Sequence, residues 1–192
     1  DVELKTLKSQ MNPHFIFNCL NSVRALIVED PERGQTVVTQ LANILRYSLQ
    51  SGNAETVRLE EELQIVNDYL ALEKTRLEDR LQITMQIDPA SRSALIPPML
   101  LQTLVENGIK YGIATQPNRG RICLFSQARD GMLQIQITNT GQLQRASNSD
   151  GFGLANTKER LKLLFGGAAS LSLEETSPNE VTANLTIPLG GG

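Results

Sequence analysis

Tryptophan is absent from these 192 residues, and aromatic residues together make up only 4% of them. The cores must therefore be built from Leu, Ile, Val and Ala, which suits helix packing and an aliphatic sheet face. No apolar run reaches the roughly 18 residues expected of a membrane span, and no signal peptide opens the chain. Runs of basic residues are also lacking: 18 Lys and Arg stand against 21 Asp and Glu, a net charge of −3. A polyanionic partner such as DNA or RNA needs a basic surface, so direct nucleic-acid binding is not expected. Cysteine is scarce. Cys19 and Cys123 lie in apolar stretches without metal-ligand spacing, which reads as two reduced, buried thiols. There is no internal repeat, and low complexity is limited to the glycine tail at 190–192.

What is present is ordinary for a soluble globular protein: 40% hydrophobic and 20% charged residues, with room for one domain and a smaller unit. Helical spacing runs through residues 1 to about 80. Leu4, Leu7 and Met11 form one stripe, and Ile16, Leu20, Val23 and Ile27 another. Pro13 falls between them, where a proline removes a backbone donor and is expected to kink the helix. The pattern is already under way at the first residues without a cap, so the sequence is expected to be part of something longer. After Asp30-Pro31, a second helix is expected over 34–50. A third is expected from Leu59, with Glu60, Glu61 and Glu62 at the positive end of its dipole.

From about residue 81 the period changes. Leu81, Ile83, Met85 and Ile87 alternate with polar residues as in a strand. Pro97-Pro98 opens a helix over about 98–112. Ile122, Leu124 and Ser126, an Asp130-Gly131 turn, and Leu133, Ile135 and Ile137 then predict a hairpin. A polar stretch at 142–150 precedes a helix at about 154–165 and strands at 169–174 and 181–187. Helices followed by interleaved strands and helices imply an α+β chain, a helical segment leading into a two-layer α/β sandwich.

Three stretches carry groups suited to chemistry, and each alone has an ordinary reading. His14, the sole histidine, lies in Asn12-Pro13-His14-Phe15-Ile16-Phe17-Asn18. A ring nitrogen lone pair can accept a phosphoryl group, and Asn12 and Asn18 can orient the ring, but a solvated surface histidine would look the same. On the helix around residue 107, Asn107 and Lys110 share a face with Tyr111 beside them. That face offers an amide oxygen for Mg²⁺, a cation for phosphate and an aromatic for a base, or is simply polar. Asn139-Thr140-Gly141 and the later Gly151-Phe152-Gly153 supply glycines that let backbone approach a phosphate ahead of a helix N-terminus. Otherwise they are turns, and the three-glycine Rossmann fingerprint is absent.

As an ordered set the three stretches resemble the LytS-type branch of sensor histidine kinases. The family's acceptor box reads close to Asn-Pro-His-Phe-x-Phe-Asn, and residues 12–18 match every fixed position. Its Leu-Val-Glu-Asn-x-Ile-Lys-x-Gly box matches 104–112, and its Gly-x-Gly-Leu-x-Asn-x-x-x-Arg-Leu box matches 151–161. The resemblance spans essentially the whole chain. It implies a helical dimerisation and acceptor segment over 1–80, a GHKL-type (Bergerat) ATP-binding sandwich over 81–189, and a tail at 190–192. It further implies that His14 accepts the γ-phosphate of ATP and passes it to an aspartate on a separate response-regulator receiver domain. Asn107 would hold Mg²⁺ and Lys110 would approach the phosphates. Asn139 would face the adenine amino group, with Gly141 making room for the base. Gly151 and Gly153 would line the phosphates, Tyr111, Leu154 and Asn156 would complete the nucleotide site, and 142–150 would form a lid. The implied partner in the bundle is a second copy of the chain. The implied location is the cytoplasmic side of an inner-membrane sensor, with this portion soluble and joined to the membrane through an N-terminal part outside the sequence.

The match has departures. Asn139 stands where the family usually has Asp, Leu143 where many relatives have a second glycine, and Tyr111 where histidine is frequent. Phe15 follows His14, where many other histidine kinases place an acid. A GHKL ATPase of the clamp or topoisomerase kind needs a glutamate four residues before the magnesium asparagine. Thr103 occupies that position here. A degenerate nucleotide-binding module that signals by dimer geometry is the alternative that Asn139 and Leu143 keep open. A purely architectural dimeriser fits poorly with Asn107, Lys110 and both glycines in place.

Overall fold

The computed structural model describes residues 13–51, 54–116, 118–143 and 152–190. It is α+β, with helices first and a mixed sheet after them. The kink expected at Pro13 involves residues 1–12, which lie outside the described residues.

Helix α1 spans Pro13–Glu29 and α2 spans Pro31–Gln50. Asp30 sits between them as the N-cap of α2: its carboxylate accepts from the Arg33 N–H at 3.1 Å, and Pro31 fills the first position, where no donor is needed. The two helices form an antiparallel hairpin. Val37, Leu41 and Ile44 of α2 and Phe15 and Cys19 of α1 are buried.

Strand β1, Val57–Arg58, pairs antiparallel with β3, Leu95–Ile96. Two-residue strands have no period and were not expected. They bring Leu59 and Glu60, which open α3 (Leu59–Leu77), under the carbonyls of Ala94 and Arg92. Those carbonyls satisfy two of the free N–H groups at the helix start. Helix α3 packs on α2 through one side and on the sheet-covering helix α4 (Leu100–Asn107) through another.

The main sheet has the order β2-β4-β5-β7-β6, with β2 at Leu81–Ile87, β4 at Gly120–Arg129, β5 at Met132–Thr140, β6 at Ser170–Ser177 and β7 at Glu180–Pro188. β2 runs parallel to β4, and the other pairs are antiparallel. Asp130 and Gly131 both have positive φ, as a two-residue hairpin turn between β4 and β5 requires. Helices cover one face, where Ile122, Leu124, Leu133, Ile135, Ile137, Leu185 and Ile187 are buried. The other face carries a polar ladder, with Gln136 donating to Asn184 at 3.0 Å and the Thr138 and Thr182 hydroxyls 3.0 Å apart. Helix α5, Phe152–Phe165, completes the helical layer through Leu161, with Leu154 partly buried against the core.

Candidate functional site

Because side chains alternate along a strand, Leu133, Ile135, Ile137 and Asn139 of β5 all face the helices. Asn139 is thus a polar side chain at the end of an apolar row, 7% exposed, paired across the sheet with Ile122 and Val181. Its amide Nδ2 donates to the Thr140 carbonyl at 3.1 Å.

The helix predicted over 98–112 is present in two parts. Regular α4 ends at Asn107, and Gly108–Gly112 continues it as a wider π turn. Such turns recur at functional sites because they re-aim side chains within a helix. Here the π turn lies against the end of β5. A Cβ on Gly112 would overlap the Asn139 amide and come within 2.5 Å of the Thr140 carbonyl. Gly141 has a φ of 140°, and a Cβ there would lie 2.5 Å from the Gly112 Cα. Only glycine allows these two backbones to meet. The structure therefore brings together two stretches that are far apart in sequence, 107–112 and 139–141.

On that turn Lys110 is exposed. Its ammonium donates to the Tyr111 hydroxyl at 2.6 Å and sits 4.5 Å from the ring centre. Asn107 is half-buried at the last residue of α4. Next to it, burial pushes the Glu106 carboxyl up to about 7. Glu73 and Glu62 add to the shift, while the hydrogen bond from Gln102 and the charge of Lys110 oppose it. Leu154 and Asn156 are on α5, Asn156 exposed; Gly153 is in the first turn of that helix. Gly151 and most of the 142–150 stretch lie outside the described residues. Among the described residues, no cluster of three His, Cys, Asp or Glu side chains could hold a metal.

His14 is exposed in the first turn of α1. The Asn18 amide lies 3.2 Å from its Nδ1, one helical turn on. Phe15, by contrast, is buried against Tyr69 of α3, with ring centres 4.8 Å apart. The first turn of α1 is thus anchored by Phe15 while His14 faces out.

Two further residues, Glu62 and Arg160, join the elements around this site, and Glu62 belongs to none of its sequence motifs. Glu62 is fully buried, and its carboxylate accepts the Tyr47 hydroxyl and the N–H groups of Met99 (2.5 Å), Leu101 (3.0 Å) and Gln102 (3.3 Å). Burial raises its pKa, against the four hydrogen bonds that favour the ionised form. It supplies from α3 the N-terminal cap that α4 lacks in its own sequence, where Met99 adopts a left-handed φ of 63°. Arg160 of α5 donates to the carbonyls of Ala54 at 2.7 Å and Pro98 at 3.5 Å. The signal for Glu62 was its place on the Leu59, Leu63 and Val66 stripe, which Glu60 and Glu61 do not share.

Comparison with known proteins gives a consistent picture. A protein-family model described as histidine kinase matches residues 2–81. The Staphylococcus epidermidis sensor protein LytS is 33% identical over 98% of this chain, and Escherichia coli sensor histidine kinase BtsS is 34% identical over 95%. These alignments cover 34% and 33% of those proteins, so the chain spans about a third of their length. The histidine kinase domain of the Erythrobacter litoralis blue-light activated histidine kinase superposes with a TM-score of 0.53 at 14% identity, covering 97% of this chain and 93% of that one. That likeness concerns the fold.

Proposed function

We propose a phosphotransfer reaction for this chain, which belongs to the LytS-type family of sensor histidine kinases: it binds Mg-ATP at the corner that 107–112 and 139–141 form and moves the γ-phosphoryl group to His14. The observation that carries this reading is the glycine-permitted contact of Gly112 with Asn139, Thr140 and Gly141, which brings two separate motifs to one corner.

The residues present suit the ligand. With Asn139 Nδ2 donating to the Thr140 carbonyl, Oδ1 is the atom to accept from the adenine amino group. Gly141, packed on Gly112, holds the end of β5 against that turn and so keeps Asn139 at the corner. Asn107 offers one hard oxygen, which suits a magnesium ion that takes its other ligands from water and phosphates. When bound, that ion would neutralise phosphate charge. Lys110 would leave its Tyr111 partner for the phosphates, and Gly151, Gly153, Leu154 and Asn156 are the further candidates to contact the nucleotide. A ring-nitrogen lone pair of His14 would attack the γ-phosphorus in line as its bond to the β,γ-bridging oxygen breaks and ADP leaves, so the helix hairpin and the sandwich must be held in the right relation.

The hairpin surface supports a homodimer. Phe17, Leu20, Ile27 and Val28 on α1, and Val38 and Leu49 on α2, are exposed apolar side chains at helical spacing, with Val28 85% exposed. Pairing them with a second copy would remove this surface from water. The phosphoryl group would pass to an aspartate of a response-regulator receiver domain. Among the described residues no helix is long and apolar enough to cross a membrane. Membrane attachment would come through sequence outside this chain, which would place the chain on the cytoplasmic side. The bundle and acceptor segment would occupy 1–80 and the ATP-binding unit 81–189.

A nucleotide-binding module without transfer is the second reading, favoured by Asn139 in place of an acid. Incubation with γ-labelled ATP and Mg²⁺ separates the two. The kinase reading expects acid-labile, alkali-stable label that is lost in His14→Ala and Asn107→Ala. Binding measured by calorimetry without label would favour the module.

A further inference from the structure

The start of α4 is a junction of four elements, and its centre is a buried carboxylate. Glu62 comes from α3, the hydroxyl that donates to it from Tyr47 on α2, and the amides it caps from Met99, Leu101 and Gln102. Arg160 of α5 closes the junction from the outside. It holds the carbonyls of Pro98, just before α4, and of Ala54, in the segment that leaves α2. A hydrogen-bonded route then continues along α4. Gln102, whose N–H meets Glu62, donates its side-chain amide to Glu106 at 2.8 Å, and Glu106 immediately precedes Asn107. One hydrogen-bonded route, through side chains and the Gln102 N–H, thus runs from the helix hairpin that carries His14 to Glu106, next to Asn107 at the end of α4.

We propose that Tyr47 and Glu62 are positioning residues that couple the hairpin to the nucleotide-binding helix, so that the placement of α2 and the set of α4 are read by each other. The functional half of this proposal rests on the kinase reading above; the structural half does not. The physical reason is that a buried carboxylate cannot leave its partners cheaply. With four donors it is well satisfied, and withdrawing one leaves the rest to reorganise in a low-dielectric site. A displacement of α2 that pulls the Tyr47 hydroxyl away is therefore felt at the first turn of α4, where no residue of that helix supplies a side-chain cap in its place. The Asn43 amide, which donates to Asp68 at 3.0 Å, joins the same two helices at a second point. That contact reaches α3 but not α4. The Tyr47 contact is distinguished by ending on the carboxylate that α4 depends on.

Tyr47→Phe removes the hydroxyl and keeps the ring, and hydrogen exchange on the whole chain without nucleotide tests the structural half. Coupling predicts that the Leu101 and Gln102 amides exchange about fivefold or more faster, while the β5 and β7 core amides keep their rates. Unchanged exchange at 101 and 102, or acceleration shared equally by the core, would overturn it. Glu62→Gln is the companion variant, expected to accelerate the same amides further. The functional half is read by His14 labelling. Tyr47→Phe should keep the affinity for Mg²⁺ with a non-hydrolysable ATP analogue within about twofold, yet slow labelling at saturating ATP by about fivefold or more. Affinity and labelling falling together in step with melting temperature would reduce Tyr47 to a packing residue and overturn it. An unlabelled wild type would overturn the kinase reading and the functional half together, leaving the exchange result to decide the coupling on its own.

Discussion

A single methyl group added at Gly112 would meet the Asn139 amide and the Thr140 carbonyl at once, and β5 backbone cannot retreat without disturbing both its sheet neighbours. Gly112→Ala should therefore cost about 1–3 kcal/mol, the range for overpacking a tight site, read as a lower urea midpoint. It should also weaken nucleotide binding if the corner is the site proposed. Cys19 gives a second residue-scale prediction. Burial, with the nearby Glu73 carboxylate adding and Arg76 opposing, pushes its thiol up to about 11. A raised folded pKa means that the stability from keeping the thiol neutral is complete below the ordinary value of 9.0 and is lost as pH climbs toward about 11. Near pH 8, alkylation of Cys19 should follow global unfolding; rapid reaction in the native state would contradict its burial. Some of this was legible beforehand. Asn139 ends an apolar alternation, which marks it as an inward polar group. The meeting of Gly112 and Gly141 was not legible, because close approach between residues 29 apart leaves no local pattern.

Among elements, periodic ones were legible and short or context-dependent ones were not. The hairpin turn, β2 and the start of α3 lie where alternation, Asp-Gly and Leu59 put them. The helix expected over 34–50 starts earlier, at Pro31, because Asp30 caps it. Asp30→Ala should then cost about 1 kcal/mol, the usual worth of such a cap, measured by thermal unfolding. The single helix expected over 98–112 divides because its glycines let the chain widen into a π turn against β5. β1 and β3 are too short to have a period, and the cap supplied by Glu62 depends on an element 39 residues away from Leu101. Of the first-turn glutamates of α3, the dipole argument treats three alike, whereas burial singles out Glu62.

For the whole molecule, the helical and α/β halves are joined through α3, which packs on α2 and on α4. The exposed stripe on the hairpin is the surface that dimer formation would use. Val28→Asp, at a side chain 85% exposed, should leave melting of the single chain almost unchanged while raising the dimer dissociation constant about tenfold or more, seen by sedimentation. Equal association of variant and wild type would move the interface elsewhere. Transfer to His14 is measured most directly by site: incubate the chain with Mg²⁺ and γ-labelled ATP, digest it under alkaline conditions and locate the label. Phosphohistidine is expected on the peptide containing His14 and absent from Asn107→Ala. Nucleotide bound with no label on that peptide, or label that survives His14→Ala, would contradict it.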